Sequence, residues 1–169
     1  EYEHDLLGRQ TADKVTTLGD GVDGAVRRIG TTYEVRGLAE KITSYSDAAG
    51  TTPVNEVQNV YNSFGQLKEQ YQAHSGAVNT GTTPKVEYAY ADGSANTTRS
   101  TSMTYPDGRE LDYLYDDTHA DKLSRIRTLR WDGADVCRYA YLGLNTFVTT
   151  DYLQPQIKLD YALGSGANP

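Results

Sequence analysis

Residues Thr104–Asp116 read TYPDGRELDYLYD, a tight turn followed by a strand. Pro106 restricts φ to the value needed at the first corner of a turn, Asp107 can bond back to the backbone, and Gly108 can adopt a positive φ. In ELDYLY the charged residues alternate with apolar and aromatic ones, which places the rings on one face of a half-buried strand. The segment therefore predicts a β-hairpin.

The composition is typical of a thin β-sheet. The 169 residues include 14 tyrosines and 16 glycines but only 2 phenylalanines, 1 tryptophan and 1 methionine. Tyrosine can bury a large ring while its hydroxyl stays in contact with water. This aromatic content therefore favours a sheet that forms a shell over one that covers a thick globular core.

Charge and hydropathy exclude several classes of partner. The chain carries 16 basic and 23 acidic residues, a net charge of −7, and the two signs are mixed without a basic run. Such a chain has no electrostatic footprint for nucleic acid or for an anionic membrane. No stretch approaches the roughly 20 apolar residues that a membrane-spanning helix needs. Because the sequence begins at Glu1 without a methionine, we expect an interior segment of a longer protein.

A tyrosine motif recurs along most of the chain. We define the second aromatic position of each copy as the marker; the markers fall at residues 4, 33, 61, 90, 115 and 141, with intervals of 29, 28, 29, 25 and 26. Such even spacing indicates a repeated structural unit. The copies are Tyr2–Arg9, Tyr33–Leu38, Tyr61–Leu67, Tyr88–Gly93, Tyr113–Asp116 and Tyr139–Gly143, with a shortened seventh at Leu159–Gly164.

Each interval contains two strand-like runs separated by turn residues, which predicts one β-hairpin per repeat. No helix is predicted, because the two segments that could tolerate one, Ala39–Tyr45 and Leu123–Leu129, occupy strand positions of the repeat. The paired runs are Lys14–Leu18 with Ala25–Tyr33, Glu40–Tyr45 with Val54–Tyr61, Leu67–Gln72 with Lys85–Tyr90, Arg99–Tyr105 with Arg109–Tyr115, and Leu123–Trp131 with Val136–Tyr141.

The residues around each marker have predicted structural roles. Tyrosines two positions apart share a face, so rings of successive hairpins are expected to stack into a ladder. An acid or amide after the marker can accept N–H bonds from the following turn, and the glycine three residues later can adopt a positive φ. The acids and amides are Asp5, Asn62 and Asp116, and the glycines are Gly8, Gly37 and Gly65. No candidate general base lies at a spacing that would pair it with these acids. We therefore interpret them as residues that stabilise turns through hydrogen bonds to the backbone.

These recurring residues resemble the Rhs/YD-repeat family, from about Tyr2 to about Leu163. The repeat is imperfect: His4 replaces a tyrosine, and Glu34, Ala91 and Leu142 stand where the family often has aspartate. The resemblance implies an all-β array of stacked antiparallel β-hairpin repeats that forms a curved continuous sheet, an arc of a spiral shell. Residues 1–169 are then a segment of about five to six hairpin repeats of a larger protein.

The resemblance also implies a function. Shells of this family enclose a toxic polypeptide in bacterial polymorphic toxins and insecticidal toxin complexes, and teneurins use a similar barrel in cell-surface adhesion. We expect a non-catalytic, structural segment of a secreted or cell-surface protein. Its expected partners are the remaining repeats of the parent shell and a toxin polypeptide cargo, with self-association through exposed strand edges. The chain lacks the Asp-Pro-x-Gly-Leu motif of the family's self-cleaving segment, so no autoproteolysis is expected.

No catalytic, cofactor-binding or metal-binding residue is assigned, and no cofactor is expected. The nearest candidate for a metal site is Asp116–His119, which offers too few ligands by itself. Cys137, the only cysteine, alternates with tyrosines and is interpreted as a buried, inert thiol. An alternative function is a carbohydrate-binding or adhesion module at the cell surface, in which Trp131 and exposed tyrosines stack on a glycan. Packing of the Trp131 ring over a turn is the favoured interpretation.

Overall fold

The computed structural model describes residues 1–91, 98–115, 118–144 and 146–161, which form an array of antiparallel β-hairpins. The chain divides into two compact units, Glu1–Glu87 and Tyr88–Pro169. Within the described residues there are thirteen strands and one helix of five residues. The predicted all-β array of hairpin repeats is therefore confirmed. Among the same residues, no helix has the length and apolar character needed to cross a bilayer.

The first unit is a meander in which each strand pairs with its neighbours in sequence. Its last strand crosses the boundary between the units. The strands are β1 (Tyr2–His4), β2 (Gln10–Lys14), β3 (Arg28–Tyr33), β4 (Ala39–Tyr45), β5 (Pro53–Tyr61), β6 (Leu67–Ala73) and β7 (Lys85–Tyr90).

The second unit is also a meander in which each strand pairs with its neighbours in sequence. A single turn of helix, α1 (Thr118–Lys122), lies between its second and third strands. The strands are β8 (Ser100–Thr104), β9 (Glu110–Leu114), β10 (Thr128–Trp131), β11 (Ala134–Leu142), β12 (Thr146–Leu153) and β13 (Gln156–Asp160).

One type of tight turn between paired strands, which we call a corner, recurs in both units. In each case a residue pairs with the residue six positions later, and in four of the five cases a β-bulge directly precedes it. Such bulges bend a strand and increase its twist. The pairs are His4 with Gln10, Tyr33 with Ala39, Tyr61 with Leu67, Thr104 with Glu110, and Tyr141 with Phe147. The quoted TYPDG turn is thus a variant of the corner that follows the markers.

Besides Tyr71, which is 5% exposed, the core of the first unit is a line of small and polar residues across neighbouring strands. Ala12, Gly30, Thr43, Glu56 and Ala73 lie opposite one another in successive strand pairs, so they share one face. All of them except Gly30 are buried. No large side chain within the described residues is fully buried. The sheet is accordingly thin, and its stability depends on contacts between neighbouring strands.

Several predicted strand limits were wrong. Strand β2 ends at Lys14, where the prediction had a strand begin, and β10 begins only at Thr128. The reason at the first site is a side chain distant in sequence: the Arg27 guanidinium donates to the carbonyls of Val15 and Thr16, at 3.0 and 2.7 Å. Those carbonyls are therefore bonded by a side chain where a strand would bond them to a neighbouring backbone.

Strands β12 and β13 were not predicted as a hairpin, and α1 was not predicted at all. The signal for β12 was present, because Thr146–Leu153 is rich in β-branched and aromatic residues. The marker spacing instead predicted a shortened seventh copy of the motif at Leu159–Gly164. Of these residues, Leu159 and Asp160 end β13. Residues 162–164 lie outside the described part of the chain.

Candidate functional site

The first corner shows how an acid closes the turn after a marker. Asp5 Oδ1 accepts bonds from the backbone N–H groups of Leu7 and Arg9, at 2.9 and 3.0 Å. Its other oxygen accepts from Arg9 Nε at 2.7 Å. Although desolvation acts in the opposite direction, these bonds lower the pKa of Asp5. Gly8 completes the corner with a φ of +78°. The predicted structural role of Asp5 is confirmed.

The next two corners repeat this bonding. Asn62 Oδ1 accepts from the amides of Phe64 and Gln66, both at 3.0 Å, as predicted. Glu34, which takes the place of Asp5 and Asn62 in its corner, accepts from the Arg36 amide at 3.0 Å and from its guanidinium at 2.8 Å. The corner glycines Gly37 and Gly65 have φ values of +90° and +79°. Asp116, the third predicted corner residue, lies outside the described residues.

The marker tyrosines bind the preceding strand through their hydroxyl groups. In four repeats the hydroxyl donates to the carbonyl of a residue at or near the start of that strand, an arrangement that we call a tyrosine clasp. The four bonds are Tyr33 to Gln10 (2.7 Å), Tyr61 to Ala39 (2.8 Å), Tyr115 to Ser100 (2.9 Å) and Tyr141 to Ile126 (2.7 Å).

An arginine covers the ring in three of the four clasps, and it directly precedes the residue whose carbonyl accepts the bond. Arg9 lies 4.3 Å from the centre of the Tyr33 ring. The corresponding distances are 4.7 Å from Arg99 to Tyr115 and 4.7 Å from Arg125 to Tyr141. In the Tyr61 clasp the equivalent residue is Leu38. Such cation–π contacts add to the hydroxyl bond in holding the ring.

In three clasps, the residue before the accepting carbonyl follows a residue with a left-handed backbone conformation. Arg9 follows Gly8, Leu38 follows Gly37, and Arg125 follows Ser124, which has a φ of +51° although it is not glycine. Sequence reasoning missed these arginines. The signal that could have found them is the Gly-Arg pair of one corner, whose arginine reaches the ring of the next repeat.

The prediction that marker rings stack on one another is wrong for the pairs that can be compared within a unit. Tyr33 and Tyr61 form no ring pair, and neither do Tyr115 and Tyr141. Successive markers are two strands apart, about 9.6 Å at the usual strand spacing. Stacked rings need centroids about 4.5–7 Å apart, so a second group must fill the gap. Arg9, Arg99 and Arg125 are such groups over the rings of Tyr33, Tyr115 and Tyr141.

Trp131 packs against the corner of the neighbouring hairpin. Its ring lies edge-on to Tyr105, with centroids 5.2 Å apart, and the Arg109 guanidinium is 5.1 Å from its centre. The backbone N–H of Tyr105 donates to the Arg109 carbonyl at 2.8 Å, so these two residues close the TYPDG turn. The indole is therefore partly covered, as the packing interpretation expected. It covers the adjacent turn. Its own turn is a tight pair with positive φ at Asp132 (48°) and Gly133 (81°).

The remaining candidate residues do not form a reactive centre within the described residues. Cys137 is 4% exposed, so the predicted burial is confirmed. Burial and the adjacent Cys137 thiol raise the pKa of Tyr139. In the described chain no three histidine, cysteine or carboxylate side chains are grouped to hold a metal ion. Of the candidate metal loop, 116 and 117 lie outside the described residues, and His119 belongs to α1.

Glu56 is a buried carboxylate that the sequence did not reveal. It accepts from Thr43 Oγ1 at 2.6 Å and from the Val78 amide at 3.0 Å, with Lys41 Nζ 3.4 Å away. These bonds outweigh desolvation and lower its pKa. Since Val78 lies in the long connection between β6 and β7, Glu56 attaches that connection to the sheet. All of its partners are structural, so the geometry indicates a stabilising role.

A hollow of about 320 Å³ lies over Gly30 in the first unit. Because Gly30 has no side chain, the Tyr45 ring of the wall can approach it closely: a Cβ at Gly30 would be 3.1 Å from that ring. Tyr33, Tyr45 and several threonines contribute to its wall, together with Arg9 and Arg28. Both guanidiniums are paired with carboxylates, Arg9 with Asp5 and Arg28 with Glu3. The hollow suits an uncharged ligand that has both apolar and hydroxyl groups.

Comparison with known proteins adds no relative. No protein-family model matches the chain, and no curated protein matches its sequence. Any assignment of function therefore depends on the corners, the clasps and the Gly30 hollow.

Proposed function

We propose that this chain is a non-catalytic wall segment of an Rhs/YD-repeat shell, and that the shell encloses a toxin polypeptide in a secreted or cell-surface protein. The observation that supports the proposal is the recurrence of one corner and one clasp at the marker spacing. The four clasps of Tyr33, Tyr61, Tyr115 and Tyr141 share the same bond to the preceding strand.

The clasps supply what a wall of one sheet needs. A single sheet has no second layer against which to bury side chains, so its strands must be held by contacts within the sheet. A hydroxyl bond contributes about 1 kcal/mol and a cation–π contact about 0.5–1 kcal/mol. Repeated along the chain, these contacts stabilise a wall that can extend by adding repeats.

Further repeats of the parent protein are the proposed partners at the strand edges. Within the described residues β1 and β13 are the terminal strands, and each pairs with one neighbour. Unpaired N–H and C=O groups of a terminal strand are a template for another strand. In the complete shell, we propose that adjoining repeats occupy these edges.

The proposal is tested on the full-length product of the gene that contains this segment. The product is treated with protease, and any polypeptide that survives is identified by mass spectrometry. A shell protects an internal polypeptide, and Tyr33→Ala with Tyr141→Ala should expose it. The control is Tyr152→Ala, because the described chain shows no hydrogen bond from the Tyr152 hydroxyl. The proposal fails if no polypeptide is protected, or if the clasp and control variants behave alike.

A second candidate function is carbohydrate binding, and the Gly30 hollow is the observation that favours it. Tyrosine rings beside hydroxyl groups suit the apolar and polar faces of a sugar. The test is a glycan array probed with the native chain, with Gly30→Ala and with Trp131→Ala. Binding at the hollow should be weakened by Gly30→Ala, which narrows it, and unaffected by Trp131→Ala. Loss of signal with Trp131→Ala alone would place the glycan at the indole, and no signal from the native chain would reject this candidate.

A further inference from the structure

The corners of the first unit expose apolar side chains where turns are usually polar. Leu6 and Leu7 in the first corner are 106% and 79% exposed, Val35 in the second is 98% exposed, and Phe64 in the third is 70% exposed. We call these four side chains the corner row. None of them is needed for the turn itself, because the bonds that close each corner come from Asp5, Glu34, Asn62 and the backbone.

The three corners lie side by side along one edge of the meander, each two strands from the last. That separation is about 9.6 Å at the usual strand spacing. Contacts between consecutive corners confirm that they are adjacent: Arg36 Nη1 donates to the Asn62 carbonyl at 2.7 Å. Between the first two corners, a Cβ built on Gly37 would be 3.4 Å from Arg9 Nη1. The corner row is therefore a series of apolar side chains at a regular period.

Charge at the corners is neutralised locally. Asp5 is paired with Arg9 at 2.6 Å, and Glu34 with Arg36 at 2.8 Å. The third corner has Asn62 in the same position and bonds to the neutral Gln66 at 2.7 Å. A surface of this kind has no charge to attract an anionic membrane or a charged ligand. Its desolvation is also inexpensive, because no unpaired charge has to leave water.

We propose that the corner row is a contact surface between two copies of this chain, placed edge to edge by a two-fold axis. Two copies have the same period of about 9.6 Å, so the side chains of one row fit the spaces of the other. Four side chains of this size from each copy bury on the order of 800 Å² of apolar surface. Specific interfaces usually bury about 1,000 Å² or more, so the dimer is weak and depends on concentration.

The test is sedimentation velocity of the 169-residue chain over a concentration series. The native chain should sediment as a monomer and dimer in exchange. Val35→Asn and Phe64→Ser should each raise the dissociation constant about tenfold or more, because each removes an apolar side chain from the contact. The matched control is Val22→Asn. Val22 is 59% exposed and lies between β2 and β3, at the other end of the hairpins.

A cross-link locates the contact independently of affinity. Val35→Cys should form an intermolecular disulfide under mild oxidation, and Val22→Cys should not, while the native Cys137 is buried. Ile157→Lys places a charge in the terminal strand β13. It distinguishes a dimer formed through the corner row from one formed by pairing of strand edges. A native chain that is monomeric throughout would overturn the proposal. So would unchanged dissociation constants in both corner variants, or loss of the dimer in Ile157→Lys alone.

Discussion

Removal of one hydroxyl group, by Tyr141→Phe, measures what a clasp contributes to stability. The Tyr141 hydroxyl donates to the Ile126 carbonyl at 2.7 Å in a partly buried position. The ring itself contacts Arg125, at 4.7 Å from its centre, and Phe147, with ring centroids 4.9 Å apart. Phenylalanine keeps the ring and both of these contacts. The substitution therefore isolates the hydroxyl bond.

The expected loss follows from that single bond. A hydrogen bond contributes about 0.5–1.5 kcal/mol, and a partly buried carbonyl left without its donor places the loss near the upper end. We therefore expect Tyr141→Phe to lower the free energy of unfolding by about 1–1.5 kcal/mol. Tyr141→Ala also removes the contacts with Arg125 and Phe147, which adds about 1–2 kcal/mol from the cation–π and aromatic pairs alone.

Trp131 provides the probe for this measurement. It is the only tryptophan and lies in β10, next to the strand that carries Tyr141, so its fluorescence follows unfolding of the second unit. Urea titrations compare Tyr141→Phe with Tyr152→Phe, the same change at a tyrosine whose hydroxyl makes no hydrogen bond in the described chain. Equal free energies of unfolding for the two variants would refute the clasp. A change in the urea dependence would instead indicate an altered unfolded state.

Three other predictions concern single residues. Bonds from the Thr51 amide and its neighbours lower the pKa of Asp47 to about 2. The contribution of these bonds to folding stability is therefore complete above the ordinary pKa of 3.8 and is lost as pH falls through about 2. A titration midpoint near 3.8 for Asp47, measured by NMR, would contradict this. Gly65→Ala should cost about 1 kcal/mol in a urea titration because φ is +79°, whereas Gly19→Ala, without a positive φ, should cost less. Cys137 should react with a thiol reagent only after unfolding, since it is 4% exposed; rapid reaction in the folded chain would show that the strand opens.

The corners could be predicted from sequence because their physics is local. An acid or amide beside a marker bonds to amides two and four residues later, as Asp5 and Asn62 do. The glycine three residues after it takes the positive φ that a side chain resists. The strand period and the even marker spacing then predicted hairpins, and the all-β array followed. Local patterns failed where a distant side chain intervened, as at Val15, whose carbonyl is bonded to Arg27.

The partners of each marker ring were decided only by the tertiary structure. Sequence alone placed the tyrosines on one face and predicted that they stack, but strands two apart leave too wide a gap for two rings to meet. Strand pairing places Arg9, which directly precedes β2, over the ring of Tyr33 in β3. In the same way it places Arg125, which lies before β10, over the ring of Tyr141 in β11. The Gly30 hollow likewise depends on Tyr45 lying across from Arg28 in the next strand. Sequence thus determined the hairpin repeat, because its turns and strands are local, whereas strand register determined which side chains of neighbouring strands meet.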